Sequence, residues 1–175
     1  MSLEQIKEQL PEFAKDIRLN ISNLFGNILQ SGLTELQFYG VALAVGYSLK
    51  NPELTAALEE QVPQELKSRI DLAAKTAATL MAMNNIYYRF IHLAEDAELS
   101  KMPANLSMNG LRAHEIEQVD FELLSLAVSA VNGCGLCITS HLKQLVDHGV
   151  SKMAIQTAIR LAATLGATAQ ALTIK

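Results

Sequence analysis

The sequence of 175 residues contains no tryptophan, only four prolines and only two cysteines. No apolar stretch reaches the roughly 18 consecutive residues that cross a bilayer, because charged residues interrupt each run, and a membrane-spanning helix is therefore excluded. Lysine and arginine are scattered and the net charge is −4, so the chain lacks the basic surface that binds nucleic acid or anionic membranes. We therefore expect its partners to be small molecules and other proteins.

The residues that are abundant favour helices. Half of the chain is apolar, and alanine, leucine, methionine, glutamine and glutamate, which have high helix propensity, are frequent. The length suffices for a proper hydrophobic core that needs no disulfide staples. We predict an all-α fold.

Helix start and stop signals divide this single domain into four parts. An N-terminal helical arm precedes two helical halves, and a linker rich in proline, asparagine and glycine separates the halves. The second half carries both cysteines. The boundaries are 1–32 for the arm, 33–100 for the first half, 101–118 for the linker and 119–175 for the second half.

Individual helices follow from apolar periodicity and from capping residues. The arm is expected to contain helices over 3–13 and 15–29. In the first half, Thr34 and Gln37 form the capping-box pattern T-x-x-Q ahead of a strongly apolar helix, which should be buried. Further helices are expected to begin at Pro52 and at Pro63, because proline is favoured in the first helical turn.

The two halves resemble each other. The tetrapeptide AATL occurs at 77–80 and again at 162–165, and GVALAVGYS upstream of the first copy matches LSLAVSAVN upstream of the second. In each half an apolar helix leads to a short helix and then to an alanine-rich one. We infer an internal duplication in which only the second copy has the thiols.

The two cysteines stand in the segment NGCGLCITSH, as Cys134 and Cys137, with His141 four residues later. Because Asn132 and Gly133 are residue types that start helices, we expect the cysteines in a first helical turn, whose free N–H groups favour a thiolate. His141 lies one turn further along and can reach the same face to move a proton. This spacing favours a redox-active dithiol.

Three other interpretations of the pair are open. C-x-x-C is half of a zinc site, which His141 and a distant carboxylate could complete, although no second pair of ligands is present. The cysteines could form a permanent structural disulfide, or they could be inert buried thiols. The opening MSLEQIKEQL has charged residues where a signal peptide needs an apolar core, so we expect a cytoplasmic, reducing location, which disfavours a permanent disulfide.

Longer segments carry a family resemblance. The stretch DFELLSLAVSAVNGCGLCITSHLKQLVDHGV, the first-half segment MAMNNIYYR and the opening LPEFAKDIRLNIS resemble the alkylhydroperoxidase AhpD family, within the wider carboxymuconolactone decarboxylase-like superfamily. The resemblance covers essentially the whole chain. Its most specific motif is E-x(11)-C-x-x-C-x-x-x-H, which begins at Glu122 and ends at His141.

The resemblance implies an activity and a set of partners. It implies a helical homotrimer that acts as an antioxidant thiol peroxidase and disulfide reductase on alkyl hydroperoxides and regenerates a partner peroxiredoxin. It also implies that no cofactor is bound and that dihydrolipoamide, as a lipoyl group on a dehydrogenase-complex acyltransferase, donates the electrons.

The resemblance further implies a role for each site residue. Cys137 would react with peroxide and become a sulfenic acid, while Cys134 would donate a proton and then form the disulfide. Glu122 and His141 would relay protons, and we expect partial burial to raise the pKa of Glu122 toward neutrality. Some family members have histidine where this chain has Leu136, so a relay here must run through Glu122, His141 and water.

The remaining histidines and the methionines receive structural interpretations. We expect His92, His114 and His148 at the surface or as helix caps, with His148 near a helix C-terminus. Met81 and Met83 have core spacing. Tyr87 and Tyr88 fit a pocket wall or a subunit interface equally well.

Two other functions are open beside the peroxidase. One is a carboxymuconolactone decarboxylase-like enzyme, which would not need the dithiol. The other is a helical zinc or binding module without catalysis. The combination of two cysteines, histidine and glutamate in the E-x(11)-C-x-x-C-x-x-x-H pattern favours the peroxidase.

Overall fold

The structure is a computed structural model that describes all residues from Met1 to Lys175. It contains eight α-helices, four short 3-10 turns and no β-strand, which confirms the all-α prediction. The α-helices are α1 (Leu3–Gln9), α2 (Lys15–Gly26), α3 (Glu35–Ser48), α4 (Pro52–Gln61), α5 (Lys67–Ala94), α6 (Gln118–Asn132), α7 (Gly135–Asp147) and α8 (Lys152–Thr173). The 3-10 turns are Glu12–Ala14, Ile28–Gln30, Leu99–Lys101 and Asn109–Arg112.

The predicted helix starts are largely confirmed. Thr34 forms the expected capping box with Gln37 at the start of α3. Pro52 is the first residue of α4, and the side chain of Asn51 before it accepts the N–H of Leu54. The helix that we expected from Pro63 begins at Lys67 instead, after a turn over 63–66.

The arm helices are shorter than predicted. α1 stops at Gln9, because Leu10 precedes Pro11 and takes an extended conformation, as the ring of a following proline requires. α2 stops at Gly26, and the last residues of the predicted helix form a 3-10 turn. Ile21 on α2 is fully buried.

Two central helices, α3 and α6, organise the core. They pack on each other, and both also pack on α5 and on α8. Phe38 on α3 and Phe121 on α6 are completely buried in one continuous apolar cluster. α7, the helix that follows the cysteine loop, packs on α6 and on α5. The long helix α5 is therefore brought next to the cysteines of the second half.

The helices of the second half repeat the order of the first. An apolar helix, a short helix and a longer alanine-containing helix occur as α3, α4 and α5 and again as α6, α7 and α8. Between Ala94 and Gln118 the chain contains no α-helix. The duplication and the four-part division stay predictions, and this order supports them. None of the helices has the length and apolar character needed to cross a membrane.

Candidate redox site

A tight connection between α6 and α7 presents the cysteines. Gly133 has φ 68° and ends α6 in the left-handed conformation. Its N–H donates to Ala130 O at 3.2 Å, and the N–H of Cys134 donates to Ser129 O at 3.2 Å, which is a Schellman cap. The prediction that Asn132 and Gly133 start a helix was wrong, because they terminate the preceding one.

Cys134 and Cys137 form a disulfide across the first turn of α7, with Cα atoms 5.3 Å apart. Cys134 is the N-cap residue of this helix, and its Sγ accepts the N–H of Cys137 at 3.3 Å. Both sulfur atoms therefore lie at the positive end of a helix of 13 residues, where a thiolate is stabilised once the disulfide is reduced. Cys134 is fully buried, whereas Cys137 lies in the wall of a cavity.

His141 and Glu122 meet beside the disulfide. His141 lies one turn beyond Cys137 on α7, and its Nδ1 is 2.6 Å from Oε2 of Glu122 on α6. Their side chains are only 14% and 18% exposed, so this contact is shielded from water. The structure thus brings together all four residues of the motif.

The electrostatics of Glu122 differ from the prediction. Burial by itself raises the pKa of this carboxyl, as expected. Hydrogen bonds from His141 and Gln118, together with the charges of His141 and His114, outweigh burial and lower the pKa below its usual value. The expected rise toward neutrality was therefore wrong, and Glu122 is ionised at neutral pH.

A further histidine belongs to the same hydrogen-bond chain. We expected His114 at the surface, but it is buried and its ring stacks on Phe121, with ring centres 4.1 Å apart. Its Nε2 lies 3.2 Å from Leu111 O and 3.2 Å from Oε1 of Gln118. Gln118 in turn donates its amide to Oε1 of Glu122 at 3.0 Å. The spacing of four residues from Gln118 to Glu122 within α6 was the signal that we overlooked, whereas His114 precedes this helix and no spacing rule predicted its contact.

The other two histidines match their predictions. His92 is exposed. His148 caps the end of α7, where its Nδ1 lies 2.8 Å from Gln144 O. Neither histidine takes part in the site.

A cavity of about 420 Å³ lies against Cys137. Parts of α5, α6, α7 and the linker form its wall. Tyr88 is one of the wall residues, which fits the pocket interpretation of this tyrosine. Leu136 also lies in the wall, and its apolar side chain occupies the place beside Cys137 where some family members have a histidine. The lining residues are Met81, Asn84, Tyr88, Met108, Leu111, Glu122, Leu136, Cys137, Ser140, His141 and Gln144.

The site contains no metal-binding arrangement of side chains. Nowhere in the structure do three or more histidine, cysteine, aspartate or glutamate side chains cluster in a way that could hold a metal ion. The structure therefore gives no support to the zinc interpretation of Cys134, Cys137 and His141.

Comparisons with known proteins agree with the resemblance of the sequence. The Carboxymuconolactone decarboxylase family matches residues 97–174. A protein of Bradyrhizobium sp. named Alkyl hydroperoxide reductase AhpD is 49% identical over 172 residues, which cover 98% of this chain and 93% of that relative. The chain belongs to the AhpD family.

Two more relatives extend this similarity to other bacteria. A Coxiella burnetii protein with the same name is 48% identical over 168 residues, covering 96% of this chain and 95% of its own length. A Rhizorhabdus wittichii protein of that name is 48% identical over 169 residues, covering 97% and 96%. The similarity of this AhpD family member to its relatives therefore includes helix α5 as well as the second half, which carries the cysteines.

Proposed function

We propose that this protein is a thiol peroxidase and disulfide reductase that reduces alkyl hydroperoxides through the Cys134–Cys137 dithiol. The observation that carries the proposal is a redox-capable cysteine pair whose second member lines a cavity beside the Glu122–His141 pair. The relatives that are 48–49% identical to this chain and are named Alkyl hydroperoxide reductase AhpD support the same activity.

The different burial of the two sulfurs supports different roles. Cys137 lines the cavity and can meet a substrate, whereas Cys134 is fully buried behind it. The thiolate of Cys137 attacks the terminal oxygen of the hydroperoxide, the O–O bond breaks, and the alkoxide leaves and takes a proton to become an alcohol. Cys134 then attacks the sulfenic sulfur of Cys137, and water leaves as the disulfide forms. Two thiols are oxidised and one peroxide is reduced.

The Glu122–His141 pair supplies the proton acceptor for these steps. An ionised carboxylate only accepts hydrogen bonds, so Nδ1 of His141 carries the hydrogen that points to Glu122. Nε2 is then the nitrogen that can take a proton from a cysteine thiol. Glu122 orients the ring, and Leu136 provides no alternative proton carrier.

We also propose the electron source and the partners. A protein-bound dihydrolipoyl group would reduce the disulfide by thiol exchange, and the reduced dithiol would in turn regenerate a partner peroxiredoxin. The active species would be a homotrimer. These proposals rest on the family resemblance.

The experiment follows the redox state of the cysteine peptide by mass. The reduced protein is treated with an organic hydroperoxide, alkylated and digested, and a second sample is treated with dihydrolipoamide before alkylation. We expect peroxide to remove two hydrogens from the peptide with Cys134 and Cys137, and dihydrolipoamide to restore them. Cys137→Ser should abolish hydroperoxide turnover while the far-UV circular dichroism stays unchanged.

Three outcomes would contradict the proposal. Cysteines that alkylate equally before and after peroxide would exclude the redox cycle. Full hydroperoxide turnover by Cys137→Ser would exclude the assigned thiol. Activity on a lactone acid that survives the loss of both cysteines would select the decarboxylase interpretation instead.

A further inference from the structure

Two neighbouring asparagines on α5 have opposite surroundings. Asn85 is almost completely buried and satisfied, because its Nδ2 donates to Ser129 Oγ at 2.9 Å and its Oδ1 accepts from Asn132 Nδ2 at 3.0 Å. Asn84 is also buried, with 6% of its surface exposed, but its Oδ1 has no hydrogen-bond partner. The first amide therefore holds α5 to α6, and the second does not.

The position of Asn84 suggests a role for its unpaired oxygen. Only three buried side-chain polar atoms lack a partner, namely Asn84 Oδ1, His114 Nδ1 and Ser125 Oγ. Asn84 is the one of these residues that lines the cavity with Cys137 and His141. A buried acceptor without a donor destabilises the folded state, and a ligand in this cavity that supplied the donor would remove that cost.

The cavity restricts what that ligand can be. It needs an O–H or N–H donor near Cys137, and its remaining part must tolerate apolar neighbours such as Met81, Tyr88 and Leu111. An alkyl hydroperoxide meets both requirements, because its single O–H group sits on the oxygen that the thiolate attacks and its alkyl part is apolar. A disulfide substrate has no hydrogen on its reacting sulfur.

We infer that Asn84 is a substrate-orienting residue: its side-chain amide, which lines the cavity, turns its unpaired Oδ1 toward the hydroperoxide and accepts the O–H hydrogen, and this directs the terminal oxygen at the sulfur of Cys137. This inference rests on the proposed peroxidase function. Asn84 itself forms no covalent bond and transfers no electron. The S–O bond forms and the O–O bond breaks as described above, and the departing alkoxide takes its proton from the cysteine and histidine groups.

The test separates peroxide reduction from disulfide exchange in the same protein. For each variant, kcat and KM are measured with cumene hydroperoxide, and the exchange rate of the reduced dithiol is measured with an aromatic disulfide. Asn84→Leu is expected to lower the ratio of peroxidase kcat/KM to exchange rate by about tenfold or more, because one hydrogen bond to the reacting group is lost. Its melting temperature should equal or exceed that of the wild type, since an unpaired buried acceptor has been removed.

Asn85→Ala is the matched control. It should lower the melting temperature, because Ser129 and Asn132 lose their partner, yet leave the ratio of the two rates unchanged. An unchanged ratio in Asn84→Leu would overturn the inference. If that variant does not fold, Asn84→Ala replaces it with the same expected and contradicting results. A wild-type protein that reduces no hydroperoxide would instead overturn the proposed function.

Discussion

The ionisation of Glu122 depends on single neighbouring atoms. Its two oxygens accept from His141 at 2.6 Å and from Gln118 at 3.0 Å, and these bonds exist only in the folded state. Burial opposes ionisation, but the hydrogen bonds and nearby histidine charges prevail and lower the pKa. The stability that Glu122 contributes is therefore present above its unfolded pKa of about 4.5 and is lost as the pH falls through the lower folded pKa.

Glu122→Gln should change the pH dependence of stability accordingly. We expect the variant to have a lower free energy of unfolding than the wild type at neutral pH, and the difference to shrink as the pH falls below about 4.5. Urea denaturation of the oxidised proteins over this pH range measures it. Glu8→Gln is the control and should show no such trend, because Glu8 is exposed and its side chain makes no hydrogen bond or ion pair. A stability difference between the wild type and Glu122→Gln that grows toward acid pH would contradict the lowered pKa of Glu122.

At the scale of elements, the turn between α6 and α7 sets the place of both sulfurs. Gly133 adopts the left-handed conformation that closes the Schellman cap, and an added Cβ would meet no atom within 4 Å. Any penalty for a side chain there is therefore purely a backbone effect.

Gly133→Ala should lower the free energy of unfolding by about 1 kcal/mol, since alanine disfavours positive φ. Gly26→Ala is the matched control, because Gly26 also has open space around its Cβ position but is the last residue of a right-handed helix. That control should be neutral or slightly stabilising. Chemical denaturation of the two oxidised variants tests the pair, and equal effects would exclude a backbone origin.

For the whole molecule, one apolar cluster joins the N-terminal segment to the rest. Leu3 and Ile6 on α1 belong to the same cluster as the central helices, and α1 packs on α4 while α2 packs on α8. Thr157 Oγ on α8 also donates to Ser31 O at 2.8 Å. We therefore expect these segments to unfold together.

Ile6→Ala should lower the free energy of unfolding by about 2–4 kcal/mol while keeping a single transition, because a fully buried side chain leaves a cavity. Leu19→Ala is the control on α2, where 52% of the residue is exposed, and its effect should stay within about 0.5 kcal/mol. Denaturation followed by both near-UV and far-UV circular dichroism is the measurement. A separate early transition in Ile6→Ala would show that the first helices unfold independently.

Features that depend on neighbours along the chain were predictable. Helix propensity, the capping pair Thr34 and Gln37 and the proline at position 52 act within one turn, so their consequences could be read from local spacing. The placement of Cys134 and Cys137 at the start of a helix, with His141 one turn beyond Cys137, was also predicted, but from Asn132 and Gly133, which terminate α6 instead.

Features that depend on contacts between distant segments were decided only when the helices packed. The pKa of Glu122 is lowered mainly by His141, which lies on another helix. The residues next to Glu122 in the sequence did not indicate this contact. The burial of His114 against Phe121, and the unpaired oxygen of Asn84 in the cavity that Cys137 also lines, are likewise products of packing. Hydrogen bonding and solvent exclusion depend on atoms brought close in space, and sequence spacing specifies such closeness only within a single helix.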